Sequence, residues 1–134
     1  MRKLPMREGF TLVELLITIV IVGILAMIAM SQFWSAKDRG LETTMQSDLK
    51  TFAVQQENYY TVHNRYASSP QAIDLYSTSP GVLLTITYSA ADGWAARTTH
   101  PSVPNAACGF YFGQAPAETG APASVPGIVQ CTPQ

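Results

Sequence analysis

The sequence predicts an α+β protein: one long N-terminal α-helix, membrane-spanning in its first half and amphipathic in its second, packed on a small antiparallel β-sheet. Three observations predict it. Residues 10–30 are apolar apart from two threonines and a single charge, Glu14. An apolar stripe then continues at helical spacing, with no proline before Pro70. Beyond residue 81 the period changes to two, with turn residues between the runs.

Residues 1–9 form a short basic leader, in which Arg2, Lys3 and Arg7 stand against Glu8. Residues 10–33 make an apolar helix. At 1.5 Å per residue, about 21 residues with no charge except Glu14 cross a hydrocarbon core of about 30 Å. Over residues 34–60 the helix continues in amphipathic form. Leu41, Met45, Leu49, Phe52 and Ala53 line one face, and Lys37, Asp38, Glu42, Asp48 and Lys50 fall mostly off it. The whole reads as one continuous helix from about residue 11 to about residue 60, roughly 75 Å long.

Residues 61–134 supply an exported globular sheet domain. Residues 61–81 read as a loop, with Ser-Pro turn signals at Pro70 and Pro80. Val82, Leu84, Ile86 and Tyr88 then alternate with Leu83, Thr85 and Thr87, the pattern of a half-buried strand. Asp92 and Gly93 provide hairpin-turn chemistry, and residues 94–99 return as the partner strand. A third strand is expected at residues 108–112 and a short last one at residues 128–131. The Ala-, Pro-, Gly- and Ser-rich residues 114–126 read as a surface loop.

The net charge of −1 conceals an uneven distribution. From residue 34 onward five cations face seven acids, so this part has no basic stripe and no nucleic-acid partner is expected. The basic leader stays cytoplasmic by the positive-inside rule, and the remainder is exported. Both cysteines, Cys108 and Cys131, lie in the exported part. A disulfide between them would close a loop of about 24 residues, worth roughly 3 kcal/mol in the chain-entropy model. Two free buried thiols or an interchain bridge are the alternatives.

Glu14 is the anomaly. A carboxylate inside a membrane-spanning helix is expensive unless something pairs with it. A secretory signal does not account for it. The apolar run exceeds the usual length of such signals, contains the glutamate and lacks a clear small-residue cleavage site near residues 26–31. A plain signal anchor has no use for the charge either.

At Gly9-Phe10-Thr11-Leu12-Val13-Glu14-Leu15 the chain resembles the type IV pilin family, which includes the pilins and the pseudopilins of type II secretion. The resemblance spans about 35 residues: a scissile glycine, an aromatic, a glutamate at fixed offset and a long apolar helix together. It implies the pilin fold and a prepilin peptidase that cuts between Gly9 and Phe10 on the cytoplasmic side. It implies N-methylation of the new Phe10 amine, and pairing of that amine with Glu14 of a neighbouring subunit during assembly. The implied partners are identical or related pilin subunits, the peptidase, an inner-membrane assembly platform, and the membrane itself before assembly. An inner-membrane protein with a periplasmic domain, later carried into a filament, follows from the same resemblance. A buried ion pair of this kind can fix register, because a misaligned subunit leaves a charge unpaired.

The family's common proline is replaced here by Ser31, which leaves no built-in kink. Major pseudopilins typically bind calcium near the C-terminus, whereas the last forty or so residues here hold one acid, Glu118. A Cys108 and Cys131 pairing is instead similar to the disulfide-bounded C-terminal region of pilins. The expectation is therefore a structural subunit of a type IV pilus-like filament, for adhesion, twitching motility or DNA uptake, with a type II secretion pseudopilin as the alternative. No enzymatic activity is expected. There is no nucleophile elbow and no phosphate-binding glycine loop, so no cofactor is expected. His63 and His100 stand without a ligand cluster, so no metal site is expected. Tyr59, Tyr60 and Tyr66 read as packing residues with wet hydroxyls. Gly23 would permit close helix packing in the membrane.

Overall fold

A computed structural model describes residues 9–74 and 76–132. The elements run α1 (Leu12–His63), a short 3₁₀ turn (Pro70–Ala72), β1 (Leu83–Ser89), β2 (Gly93–Thr99), β3 (Ala107–Gly113), a second 3₁₀ turn (Ala117–Gly120) and β4 (Gln130–Cys131). By contact density the chain divides into two compact units, residues 1–36 and 37–134. The leader falls outside the described residues except for Gly9.

In the first unit the helix has no core of its own. Every large apolar side chain described between Phe10 and Trp34 keeps more than half its surface exposed. This segment is long and apolar enough to cross a membrane. Ser31 sits inside α1 and donates its hydroxyl to the Ile28 carbonyl at 3.0 Å. Thr18 does the same to Leu15 at 2.7 Å. Hydroxyls returned to their own helix carry no unmet polar group into an apolar environment.

In the second unit Met45, Leu49, Phe52 and Gln56 are buried, at steps of four and three along α1. They meet the inner face of an antiparallel meander in which β1, β2, β3 and β4 are neighbours in chain order. Trp94 and Ala96 of β2 and Cys108 and Phe110 of β3 line that face, and Phe52 meets the Trp94 ring edge-on at 5.5 Å. Thr98 is fully buried there because its hydroxyl donates to the Met45 carbonyl at 3.2 Å. Cys108 pairs with Cys131 across β3 and β4, and the two form the disulfide.

Three details differ from the sequence expectations. The helix runs three residues past residue 60 and stops where Asn64 takes a positive φ of 52° while its amide bonds the Tyr60 carbonyl. Asparagine tolerates that left-handed stop better than most residues. Secondly, Tyr88 does not share a face with Leu84 and Ile86. Ile86 pairs with Ala96 and Tyr88 with Ala95, so the extra residue, Thr87, forms a bulge. One inserted residue turns everything after it to the other face. Tyr88 accordingly packs with Ala95, Tyr111, Ala115 and Ala123, and the Thr87 hydroxyl donates to the Thr119 carbonyl at 2.5 Å.

Thirdly, residues 114–126 are more than a surface loop. Ala115, Gly120 and Ala123 are buried, and with the second 3₁₀ turn they cover the outer face of the sheet. Small side chains allow that close approach. A Cβ on Gly109 of β3 would collide with the backbone of Gly120 and Ala121. Gln130 holds the cover down: its Oε1 accepts from the Ser124 amide at 2.5 Å and the Ser124 hydroxyl at 2.9 Å.

The long segment between α1 and β1 is fastened to the helix at two places. The Gln56 amide group donates to the Ala67 carbonyl at 3.1 Å and accepts from the Ala67 amide at 2.8 Å. The Asp48 carboxylate accepts from the Ser79 amide at 2.7 Å and its hydroxyl at 2.9 Å, while the Tyr76 hydroxyl donates to the Asp48 carbonyl.

Candidate processing and assembly site

Gly9 and Phe10 precede the helix in irregular, exposed backbone. A Cβ at Gly9 would meet nothing within 4 Å, so the chain's own packing makes no demand for glycine there. The helix begins at Leu12, and Thr11 caps it. The Glu14 amide donates to the Thr11 hydroxyl oxygen at 3.2 Å. In return the Glu14 carboxylate accepts from the Thr11 amide at 3.1 Å and from the Thr11 hydroxyl at 3.0 Å, both through Oε2. This is a reciprocal capping box, with threonine at the cap and glutamate three residues on.

The arrangement gives Glu14 a role that the sequence reading missed. Thr11-Leu12-Val13-Glu14 is itself the signature, a threonine and a glutamate at that spacing before an apolar run. In the uncut chain the carboxylate is held by its own first turn, and it lies close to the backbone that a cut after Gly9 would turn into a free amine. The structure thus brings Gly9, Phe10 and Glu14 into one short stretch, while Cys108 and Cys131 belong to the sheet.

The other singled-out residues serve packing. Tyr60 stacks on Tyr66 at 4.8 Å, and Tyr59 stacks on His63 at 3.9 Å. Tyr66 is almost wholly buried, and its hydroxyl donates to Glu57 at 3.3 Å rather than to solvent. Burial first, and then the Glu57 charge, push that hydroxyl up to about 12. The Tyr76 hydroxyl is also raised, by burial and then by Asp48. His100 accepts from the Ser102 amide at 3.1 Å. Among the described residues no three His, Cys, Asp or Glu side chains gather as metal ligands would.

A capped apolar helix followed by a helix-on-meander domain defines the class: a helix-and-sheet protein with an N-terminal methylation-type motif. A family model for the prokaryotic N-terminal methylation motif matches residues 4–30. The type IV wide pilus major component PilA4 of Thermus thermophilus is 32% identical over 96 residues, covering 69% of this chain and 73% of that protein. Type II secretion system core protein G of Klebsiella michiganensis is 31% identical over 91 residues, covering 68% of this chain and 64% of that one. The type IV major pilin protein PilA of Myxococcus xanthus is 35% identical over 63 residues, which cover 47% of this chain and 29% of that protein. The matches to the latter two thus span less than two thirds of those relatives' length. The chain belongs to the type IV pilin and type II secretion pseudopilin family, which is a family of structural subunits and not of enzymes.

Proposed function

We propose that this chain is the subunit of a type IV pilus-like filament. A prepilin peptidase cuts it between Gly9 and Phe10, the Phe10 amine is methylated, and the subunit polymerises through its N-terminal helix. The observation that carries the proposal is the exposed apolar helix bearing one capped carboxylate. Seventeen large apolar side chains in residues 10–34 stand more than half exposed, and the environment that covers them is lipid before assembly and sister helices after it. Two glycines support it. Glycine in a helix interior costs about 1 kcal/mol relative to alanine, yet a Cβ at Gly23 would meet nothing within 4 Å. Gly9 is equally unconstrained by its own chain. Both are explained by something outside the chain that comes close: a sister helix at Gly23 and the peptidase at Gly9.

On this reading residues 10–33 span the inner membrane, with the leader cytoplasmic and residues 61–134 periplasmic, and an inner-membrane platform extracts the subunit. Glu14 then exchanges or shares its Thr11 bonds with the Phe10 amine of a neighbour. The disulfide-closed C-terminal region supports a pilus. The secretion pseudopilus is the second reading, favoured by the core protein G relatives.

Shearing cells and determining the N-terminus of the filament protein tests the proposal: surface filaments built from a chain starting at Phe10 are expected. A short filament confined to the periplasm and needed for enzyme release would decide for the second reading, and an uncut membrane monomer would overturn both. Glu14→Ala is expected to leave membrane insertion intact and abolish filaments; normal filaments from it would refute the pairing.

A further inference from the structure

Glu14 and Trp34 bracket the apolar part of α1. Twenty positions separate them, about 30 Å at the helical rise, and that is the thickness of a bilayer's hydrocarbon core. No charged residue lies between them. The two hydroxyl side chains that do, Thr18 and Ser31, are returned to their own helix carbonyls. At the far end Phe33 and Trp34 form an edge-to-face pair, with ring centroids 6.0 Å apart and both side chains more than half exposed. The next ionisable residues are Lys37, Asp38 and Arg39.

The two tryptophans of the chain make the contrast plain. Trp94 is fully buried among Phe52, Tyr66 and Phe110, with its indole Nε1 unpartnered. Trp34 lies at the boundary between the apolar and charged stretches and outside any core. An amphipathic ring at such a boundary has its best environment at lipid headgroup level.

We propose that Phe33 and Trp34 form an interfacial anchor whose partner is the lipid headgroup layer on the exported side, and that this anchor sets the insertion depth of the uncut chain. The consequence lies at the other end of the same span. With Trp34 at one interface, Glu14 rests at the opposite one, where its carboxylate is hydrated, and the bond between Gly9 and Phe10 lies just beyond it. The single chain therefore escapes the burial of a charge until assembly moves the helix outward.

This rests on the membrane-spanning reading above, and the test separates the two. The full-length uncut chain and its Trp34→Leu variant are reconstituted in phosphatidylglycerol–phosphatidylcholine vesicles with acyl chains brominated either near the headgroup or near the terminal methyl. The difference between the two proteins isolates Trp34 fluorescence from that of Trp94. At least twofold stronger quenching by the shallow bromine is expected. Equal or stronger quenching by the deep bromine, or no quenching in a chain that floats with the vesicles, overturns the anchor alone. A chain that does not float with the vesicles overturns the spanning reading, and the anchor with it. Depth-setting is read separately through Leu12→Cys, whose free thiol is alkylated by an impermeant maleimide from the leader side. Trp34→Leu, which draws position 34 into the hydrocarbon and pushes residue 12 out on the leader side, is expected to speed that alkylation several-fold and Trp34→Tyr to restore it; equal rates in all three, or slower alkylation of Trp34→Leu, would refute depth-setting.

Discussion

Residues 9–36 and residues 37–132 obey different physics although one helix runs through both. The first stretch is ordered by local rules alone: a cap at Thr11, helix hydrogen bonds closed within the segment, and hydroxyls tied to their own carbonyls. None of its large apolar side chains is buried within the chain. The second stretch has a core in which Met45, Leu49, Phe52, Trp94 and Cys108 lose all contact with solvent. The difference shows which part is complete. The sheet domain supplies its own partners, whereas the apolar helix makes sense only with partners from outside.

The sharpest way to break this contrast is to truncate one apolar side chain in each region. Phe52→Ala should destabilise the sheet domain by about 3–5 kcal/mol, because Phe52 contacts both Tyr76 and Trp94 and its loss leaves a cavity. Ile21→Ala should leave the domain's unfolding unchanged. Denaturant unfolding of the full chain in detergent, followed by Trp94 fluorescence, measures both, and a comparable loss from Ile21→Ala would erase the distinction. Replacing Cys108 and Cys131 together by serine should cost roughly 3 kcal/mol in the same assay, the value of a loop of this length. The helix content of the apolar stretch should not change, which circular dichroism would show.

Gln56→Ala comes next. It deprives the Ala67 amide and carbonyl of their partner, and each buried group so stranded costs about 1–3 kcal/mol. Hydrogen exchange should accelerate at Ala67 first; protection unchanged there would show that the clamp is dispensable. The smallest effect is pH-dependent. Tyr66 is raised in the folded chain to about 12 from about 10 when unfolded, so the unfolded state releases that proton first. Stability should be flat below about 10 and decline as pH rises from there toward about 12. Tyr66→Phe should flatten part of that decline, and an unaltered slope would mean that other groups cause it.

Much of this division was legible in the sequence. Periodicity separates the lipid-type stretch from the amphipathic one, and a change of period marks the sheet. Four of the surprises have physical reasons. Gln56 continues the stripe of Phe52, but an amide side chain does not register as a core position until its backbone partner at Ala67 is seen. The Thr87 bulge leaves no trace because Leu84, Thr85, Ile86, Thr87 and Tyr88 keep alternating in the sequence while the pairing slips. Residues 114–126 look like loop because small residues are common both in loops and in tight backbone packing. At Glu14 the charge drew attention to intermolecular pairing, although the spacing to Thr11 already spelled a cap.

The same bulge bears on how such molecules coexist at high density. A four-stranded meander has two open edges, here β1 and β4. β4 is only two residues long, too short to template another strand. β1 is seven residues long, but Thr87 breaks its pleat and its regular row of outward amides and carbonyls. Neither edge presents the flat ladder on which a second sheet could grow. Chains crowded together are thereby kept from fusing through their strands.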